Sequence, residues 1–250
     1  MPRFTDARLK LKRADEHIAD LGSSVNALPD SDVATVEINP HAGNEVIKHD
    51  FANRTAIDDI ALIVGDAVHN LKCALDYTWL ETIKKLLPSA VSKFAKFPIY
   101  PTRDELEGAL RGKKIDLSSP DLFNTILNEV KPYNRGNFAV WPVHRLDIRD
   151  KHRLLIPVIQ YSSISGIETE NKRTGEISRQ GFTLLTDQKP PLYIPMPLGV
   201  HVKNKGKISI GVMFKYGHGS EFRVVDSLSQ YSRFVLKVVE RLEILLETGG

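Results

Sequence analysis

The stretch GDAVHNLKCALDY, residues 65–77, carries hydrogen-bonding side chains at helical spacing among apolar ones. At about 100° per residue, the apolar residues fall on one face of a helix and the polar residues on two flanks beside it. Because a buried polar group without a partner costs about 1–3 kcal/mol, these side chains need hydrogen-bond partners. They form either an internal network or the wall of a binding pocket. The candidate residues are Asp66, His69, Asn70, Lys72, Asp76 and Tyr77.

A second polar constellation is HRLDIRDKHRLL, residues 144–155. Opposite charges four residues apart, such as Asp147 and Lys151, are typical of a solvated helix surface. The segment also leads into an apolar strand, where a rigid scaffold can hold polar side chains in place. A histidine beside an aspartate and a lysine can orient a phosphate, relay a proton or cap a helix end. The candidate residues here are Asp150, Lys151, His152 and Arg153.

We expect the polar flank of 65–77 to face this second segment. A covered Asp76 needs a cation or a donor, and Lys151, His152 and Arg153 supply both; Asp150 would accept from Lys72 or His69. The alternative hypothesis is that both segments lie on solvent-exposed helix surfaces, since charged helix ends are common.

Several standard catalytic and metal sites are missing from the sequence. It contains no GxxxxGK[ST], GxGxxG, HExxH or GxSxG motif. Its one cysteine, Cys73, stands four residues after His69, but an inert thiol is favoured over a nucleophile. Asp66 with Asn70, or His69 with Asp76, would supply only two metal ligands. We therefore expect neither a metal nor another cofactor.

Composition indicates a globular protein. Of the 250 residues, 42% are hydrophobic and 26% charged, and the formal charge of +3 is too small to argue by itself for nucleic-acid binding. The N-terminus lacks the apolar core of a signal peptide, and no apolar run approaches the roughly 18 residues that a membrane span needs. We expect a cytoplasmic protein that does not contact membranes.

The hydrophobic periodicity changes from helical to strand-like along the chain. Helices followed by strands predict an α+β fold: an N-terminal helical bundle, one C-terminal antiparallel sheet and a final helix. We predict a single domain over 1–250, mainly helical over 1–152, strand-rich over 153–223 and helical again over 224–250. The predicted helices cover 5–28, 55–87, 102–111, 119–130, 140–152 and 224–247, and the predicted strands are 33–38, 154–168, 175–187, 191–202 and 207–217, with 97–101 extended.

Two of these helices carry packing predictions. The 55–87 helix should be central, packed by the N-terminal helix and covered on both sides. The C-terminal helix should dock through residues at helical spacing. These are Val224, Leu228, Val235, Val238 and Leu242.

The order of motifs resembles a bacterial family of cytoplasmic proteins without an established activity. Its pattern GDxxHNLRxALDH, then FPI, then L-D-x-x-DKHR-L corresponds here to GDAVHNLKCALDY, FPI at 97–99 and LDIRDKHRLL at 146–155. KPYNRG at 131–136 and RADEHIADL in the first helix match as well. The resemblance covers residues 5–160.

The RxALDH part of that pattern has the spacing of the R-x4–6-H signature of HEPN-like RNases. The resemblance would make the helical part HEPN-like, and the chain an RNA-binding homodimer. The arginine falls on Lys72 and the histidine on Tyr77, so this chain departs from the signature at both ends. Lysine lacks the planar fork of arginine, and tyrosine is a poor base at neutral pH.

Three functions are consistent with these residues. The first is an intracellular protein that binds an unidentified ligand or protein partner without catalysis, built around a polar pocket. The second is a HEPN-like protein that binds or cleaves RNA. The third is a phosphate-directed hydrolase that uses Lys72, Asp150 and His152. The first is favoured because no complete catalytic constellation is present, although the sequence leaves open whether the chain is an enzyme.

Overall fold

The computed structural model describes residues 4–27, 34–39, 42–49, 54–88, 96–153, 158–186, 192–214 and 223–248. The predicted α+β class is confirmed, since helices and antiparallel strands follow one another and a long helix ends the chain. Within the ranges given, no helix is both long and apolar enough to pass through a bilayer.

The long helices begin and end close to the predicted positions, whereas the short helix at Ile115–Ser118 was not predicted. The segment predicted as one helix over 119–130 is a short α-helix followed directly by a π-helical turn at Thr125–Val130. The α-helices are α1 (Thr5–Asn26), α2 (Arg54–Leu86), α3 (Arg103–Gly112), α4 (Ile115–Ser118), α5 (Pro120–Asn124), α6 (Val140–Arg153) and α7 (Val224–Thr248).

The chain divides into two compact units. The first contains Met1–Asp20, Leu62–Ile156 and Val225–Gly250, and the second contains Leu21–Ala61 and Pro157–Val224. The boundaries fall inside α1 and α2. The single domain over 1–250 stays a prediction.

The first unit is helical, and α2 runs through its core. The apolar face of α2 is buried from Val64 to Trp79. Its part from Leu71 onward shares one hydrophobic cluster with α1 residues such as Ala7 and Leu11. All five docking residues predicted on α7 are buried. The prediction that α2 is covered on both sides is wrong at Leu62, which is 55% exposed.

The second unit contains two antiparallel sheets, whereas one sheet was predicted after residue 153. One sheet has the order β1-β2-β5; in the other, β3 pairs with β4, β6 and β7. The segment predicted as one strand over 191–202 is divided at Gly199, whose φ of +82° suits a turn. Its two halves pair in different sheets. The strands are β1 (Ala34–Ile38), β2 (Glu45–His49), β3 (Val158–Asn171), β4 (Ile177–Thr186), β5 (Leu192–Pro195), β6 (Val200–Asn204) and β7 (Lys207–Phe214).

A buried carboxylate joins β2 to β6 in the second unit. Glu45 accepts hydrogen bonds from the Val202 backbone N–H at 2.7 Å and from His201 Nδ1 at 2.5 Å. Burial by itself would raise the pKa of Glu45, but these two donors outweigh it and lower that pKa. The sequence analysis did not identify this pair.

Candidate functional site

Part of one polar flank of α2 faces α6, as predicted: Gly65 lies against Asp150, and His69 contacts Asp147. Gly65 permits this approach, because a Cβ atom at that position would come within 2.5 Å of Asp150 Oδ1. Asp150 is half-buried, and its pKa is raised by burial and by the nearby carboxylates of Asp147 and Asp66. We call the polar residues at this interface the α2–α6 polar cluster: His69, Lys72, Cys73, Asp76, His144, Asp147, Asp150 and Lys151.

Asp147 is the centre of this cluster. It lies on the buried side of α6, and its side chain is only 5% exposed. One oxygen is 3.1 Å from His69 Nδ1, and the other accepts from Lys151 Nζ at 2.7 Å. A buried carboxylate is tolerable when it is paired in this way. The predicted acceptor for His69 was Asp150; the structure places Asp147 there instead.

Cys73 extends the chain of contacts. Its Sγ atom lies 3.4 Å from His69 Nε2, one helical turn away. Since Asp147 accepts at Nδ1, a neutral His69 carries its proton there and accepts from the thiol at Nε2. Cys73, His69 and Asp147 are arranged like a catalytic triad, in which the cysteine is the nucleophile, the histidine is the base and the aspartate orients the histidine. However, burial raises the pKa of the Cys73 thiol, which disfavours the thiolate that nucleophilic attack requires.

Lys72 and Asp76 form a second pair within α2. The Lys72 ammonium contacts Asp76 Oδ1, and the same oxygen accepts from the Phe97 backbone N–H at 2.8 Å. Lys72 is 5% exposed, whereas the Asp76 side chain is 28% exposed, so the ammonium is the buried member of the pair. The predicted partners of Asp76 on α6 are therefore wrong. Lys72, one helical turn before Asp76, pairs with this carboxylate, so Asp76 needs no partner on α6.

The other predicted site residues are dispersed around the cluster. Asn70 is buried, donates to the Asp66 carbonyl at 2.8 Å and accepts from Lys10 at 3.2 Å. Asp66 and Tyr77 are exposed on α2. On α6, Lys151 and His152 are exposed, although the Lys151 ammonium contacts Asp147, and the side chain of Arg153 lies outside the described part.

His144 places an unpaired nitrogen in the cluster. Its Nδ1 atom is buried and has no hydrogen-bond partner among the described residues. Burial is the main cause of the lowered pKa of His144, and the charge of Lys72 adds to it. A neutral imidazole at this place avoids stranding a charge between the two helices.

A separate cavity of about 690 Å³ lies between α1 and α7 and is called the α1–α7 groove below. Its apolar lining residues are Leu11, which is 5% exposed, and the exposed Ala19 and Leu236. Leu236 is 36% exposed, so part of this surface is open to solvent. The remaining lining residues are polar or charged: Arg8, Lys12, Asp15, Glu16, Ser229, Ser232 and Arg233.

Sequence reasoning missed Asp147, His144 and the whole groove as site features. Asp147 was detectable, because its spacing from Val140 and Val143 places it on the buried side of α6. The groove gave no comparable signal, since its two walls lie more than 200 residues apart in the chain.

The described residues contain no group of three or more histidine, cysteine or acidic side chains able to hold a metal ion. Comparisons of the chain with models of known families, with curated proteins and with solved structures return no match. The resemblance to the bacterial family and to HEPN-like proteins stays a prediction.

Proposed function

We propose that this chain is a binding protein that takes a small organic ligand in the α1–α7 groove and performs no reaction on it. The observation that carries this proposal is the groove itself. Its volume of about 690 Å³ lies within the range of small-molecule sites. The groove also combines apolar side chains with polar and charged ones, and polar groups in such a site fix the orientation of the ligand.

The α2–α6 polar cluster is assigned a structural role in this proposal. Its buried charges are paired with one another: Asp147 with His69 and Lys151, and Lys72 with Asp76. A ligand would have to replace these partners before it could bind. The cluster instead connects α2 to α6 and to the backbone at Phe97.

The RNase alternative is weaker. A HEPN-like mechanism would require Lys72 to reach a phosphate, but its side chain is buried and paired with Asp76. Tyr77 is exposed and has no basic nitrogen. We expect no metal-independent cleavage of single-stranded RNA. Cleavage that is lost in both Lys72→Ala and Tyr77→Phe would favour the RNase instead.

The hydrolase alternative meets the same difficulty. It needs Lys72 to act together with Asp150 and His152, yet the Lys72 ammonium already contacts Asp76. His152 is exposed on α6. We therefore do not assign a phosphate-directed reaction to these residues.

The neutral dye N-phenyl-1-naphthylamine tests the proposed function, since its fluorescence rises in an apolar site. We expect saturable binding to the full chain. Ala19→Phe, which fills the groove, should abolish it. Gln230→Phe adds the same ring to an exposed position of α7 that does not line the groove and should leave binding unchanged.

Two outcomes would overturn the proposal. One is an absence of saturable binding to the wild-type chain. The other is equal binding by wild type, Ala19→Phe and Gln230→Phe, which would place the dye elsewhere. Circular dichroism of each variant verifies that its helices are intact.

A further inference from the structure

We infer that the ligand of the α1–α7 groove is an amphipathic organic anion: an apolar body that carries a carboxylate, sulfonate or phosphate group. This inference rests on the proposed function, because it names the chemical class of ligand for the same site. It depends on which charges of the groove are already paired inside the protein and which remain available.

The carboxylates of the groove are engaged. Asp15 Oδ1 accepts a hydrogen bond of 2.6 Å from the Ser232 hydroxyl. Glu16 is 3.0 Å from Arg13 Nη1, in an ion pair on the surface of α1. A cationic ligand would compete with Arg13 for Glu16 and would find Asp15 hydrogen-bonded to α7.

The cations of the groove are less committed. Arg8 is paired, since its Nη2 atom is 2.5 Å from Glu243. Lys12 is exposed, and across the described chain it has neither an ion-pair nor a hydrogen-bond partner. Arg233 uses its Nε atom to donate to the Ser229 carbonyl at 3.3 Å and has no carboxylate within ion-pair distance in the described chain. Lys12 and Arg233 therefore leave positive charge available on opposite walls of the groove.

The apolar surface determines the rest of the ligand. Ala19 on α1 and Leu236 on α7 are exposed and lie in the same cavity as the two available cations. A simple inorganic anion would leave this surface exposed to water. Removing apolar surface from water is favourable, so an apolar body adds affinity that a bare anion lacks. The combination favours an anion with an attached ring or alkyl chain.

The test compares two dyes of similar apolar size by fluorescence titration. 8-Anilinonaphthalene-1-sulfonate carries a sulfonate, whereas N-phenyl-1-naphthylamine is neutral. We expect the anionic dye to bind more tightly to the wild-type chain at low salt. Lys12→Gln should weaken its binding about two- to fivefold, the range for one exposed charge pair, and leave the neutral dye unaffected.

Lys237→Gln is the matched control, because it removes an equal charge from an exposed position of α7 outside the groove. It should leave the affinities for both dyes unchanged. Added salt should weaken only the sulfonate dye. Equal affinities for the two dyes, or equal effects of Lys12→Gln and Lys237→Gln, would overturn the anionic ligand. If neither dye binds, the proposed function itself fails.

Discussion

The α2–α6 polar cluster and the α1–α7 groove both contain charged residues on helices of the same unit, but they use those charges differently. In the cluster, Lys72 and Asp147 are almost fully buried and have charged partners a few ångströms away. In the groove, Lys12 and Arg233 are exposed and no carboxylate pairs with them in the described chain.

This difference separates structural charge from charge that is available to a ligand. A buried ion pair adds little net stability when complete, but removing one partner strands the other at a high cost. Removing an exposed charge leaves no buried charge without a partner, and an exposed charge contributes little to the stability of the fold. Substitutions in the cluster should therefore reduce the stability of the fold, whereas substitutions in the groove should reduce ligand binding.

Asp76→Ala should give the largest loss of stability. It leaves the buried Lys72 ammonium without its carboxylate and the Phe97 N–H without its acceptor. We expect the free energy of unfolding in urea to fall by about 3–5 kcal/mol. Asp59→Ala, which removes an exposed carboxylate from the same helix, should change it by less than about 0.5 kcal/mol.

The double variant Lys72→Met/Asp76→Ala should recover much of that loss, since it leaves no unpaired charge. If Asp76→Ala instead keeps the wild-type stability and abolishes binding of 8-anilinonaphthalene-1-sulfonate, the two regions have been assigned the wrong roles.

Gly65→Ala should cost about 1 kcal/mol. The added methyl group would come within 2.5 Å of Asp150 Oδ1, and the carboxylate must turn away inside a half-buried interface. The better helix propensity of alanine offsets part of this cost. At Gly108, where nothing lies within 4 Å of a new Cβ atom, the same change should stabilise the chain by up to about 1 kcal/mol.

Combining Gly65→Ala with Asp150→Ala tests the proposed contact. It removes the clash and also a carboxylate whose pKa is raised by burial and by its acidic neighbours. We expect the double variant to be at least as stable as wild type at pH 7. An equally destabilised double variant would show that the methyl group meets another obstacle.

His144 should give a smaller, pH-dependent effect. Its folded-state pKa lies below the ordinary value of 6.5, so the unfolded chain takes up this proton more readily. The contribution of His144 to stability is present above pH 6.5 and is lost as the pH falls through the folded-state pKa. Between pH 8 and 5, the free energy of unfolding should decrease as the pH falls in wild type, and it should decrease less steeply in His144→Phe. Identical slopes would contradict the assignment.

Lys12→Gln should have the smallest effect on folding. Its free energy of unfolding should stay within about 0.5 kcal/mol of wild type, because Lys12 has no partner to strand in the described chain. A loss above 1 kcal/mol would show that Lys12 takes part in the fold and would weaken the comparison between the two regions.

Local pattern was sufficient for the long helices, although it predicted neither α4 nor the π-helical turn at Thr125–Val130. Apolar spacing, and the prolines and glycines between elements, predicted the ends of α2, α6 and α7 to within a residue or two. The same spacing predicted that α7 would dock through Val235 and Leu242. These features depend on neighbours within a few turns, so they are encoded in short stretches of sequence.

Charge pairing was predicted only in outline. The sequence indicated that α2 would face α6, since both carry polar residues that need partners. It did not determine whether Asp147 or Asp150 accepts the hydrogen bond from His69, because that choice depends on how the helices are rotated and on the space at Gly65. Nor did it decide that Asp76 would take its donors from Lys72 and Phe97.

The sequence by itself determined the α+β class, the long helices and the residues that compete for buried polar contacts. Tertiary structure decided how the strands divide between two sheets, which carboxylates receive the buried cations, and that a groove lies between α1 and α7. The physical reason is the range of the interactions. Hydrophobic periodicity acts between residues three or four apart, whereas a strand partner, a buried ion pair or a cavity depends on segments that only folding brings together.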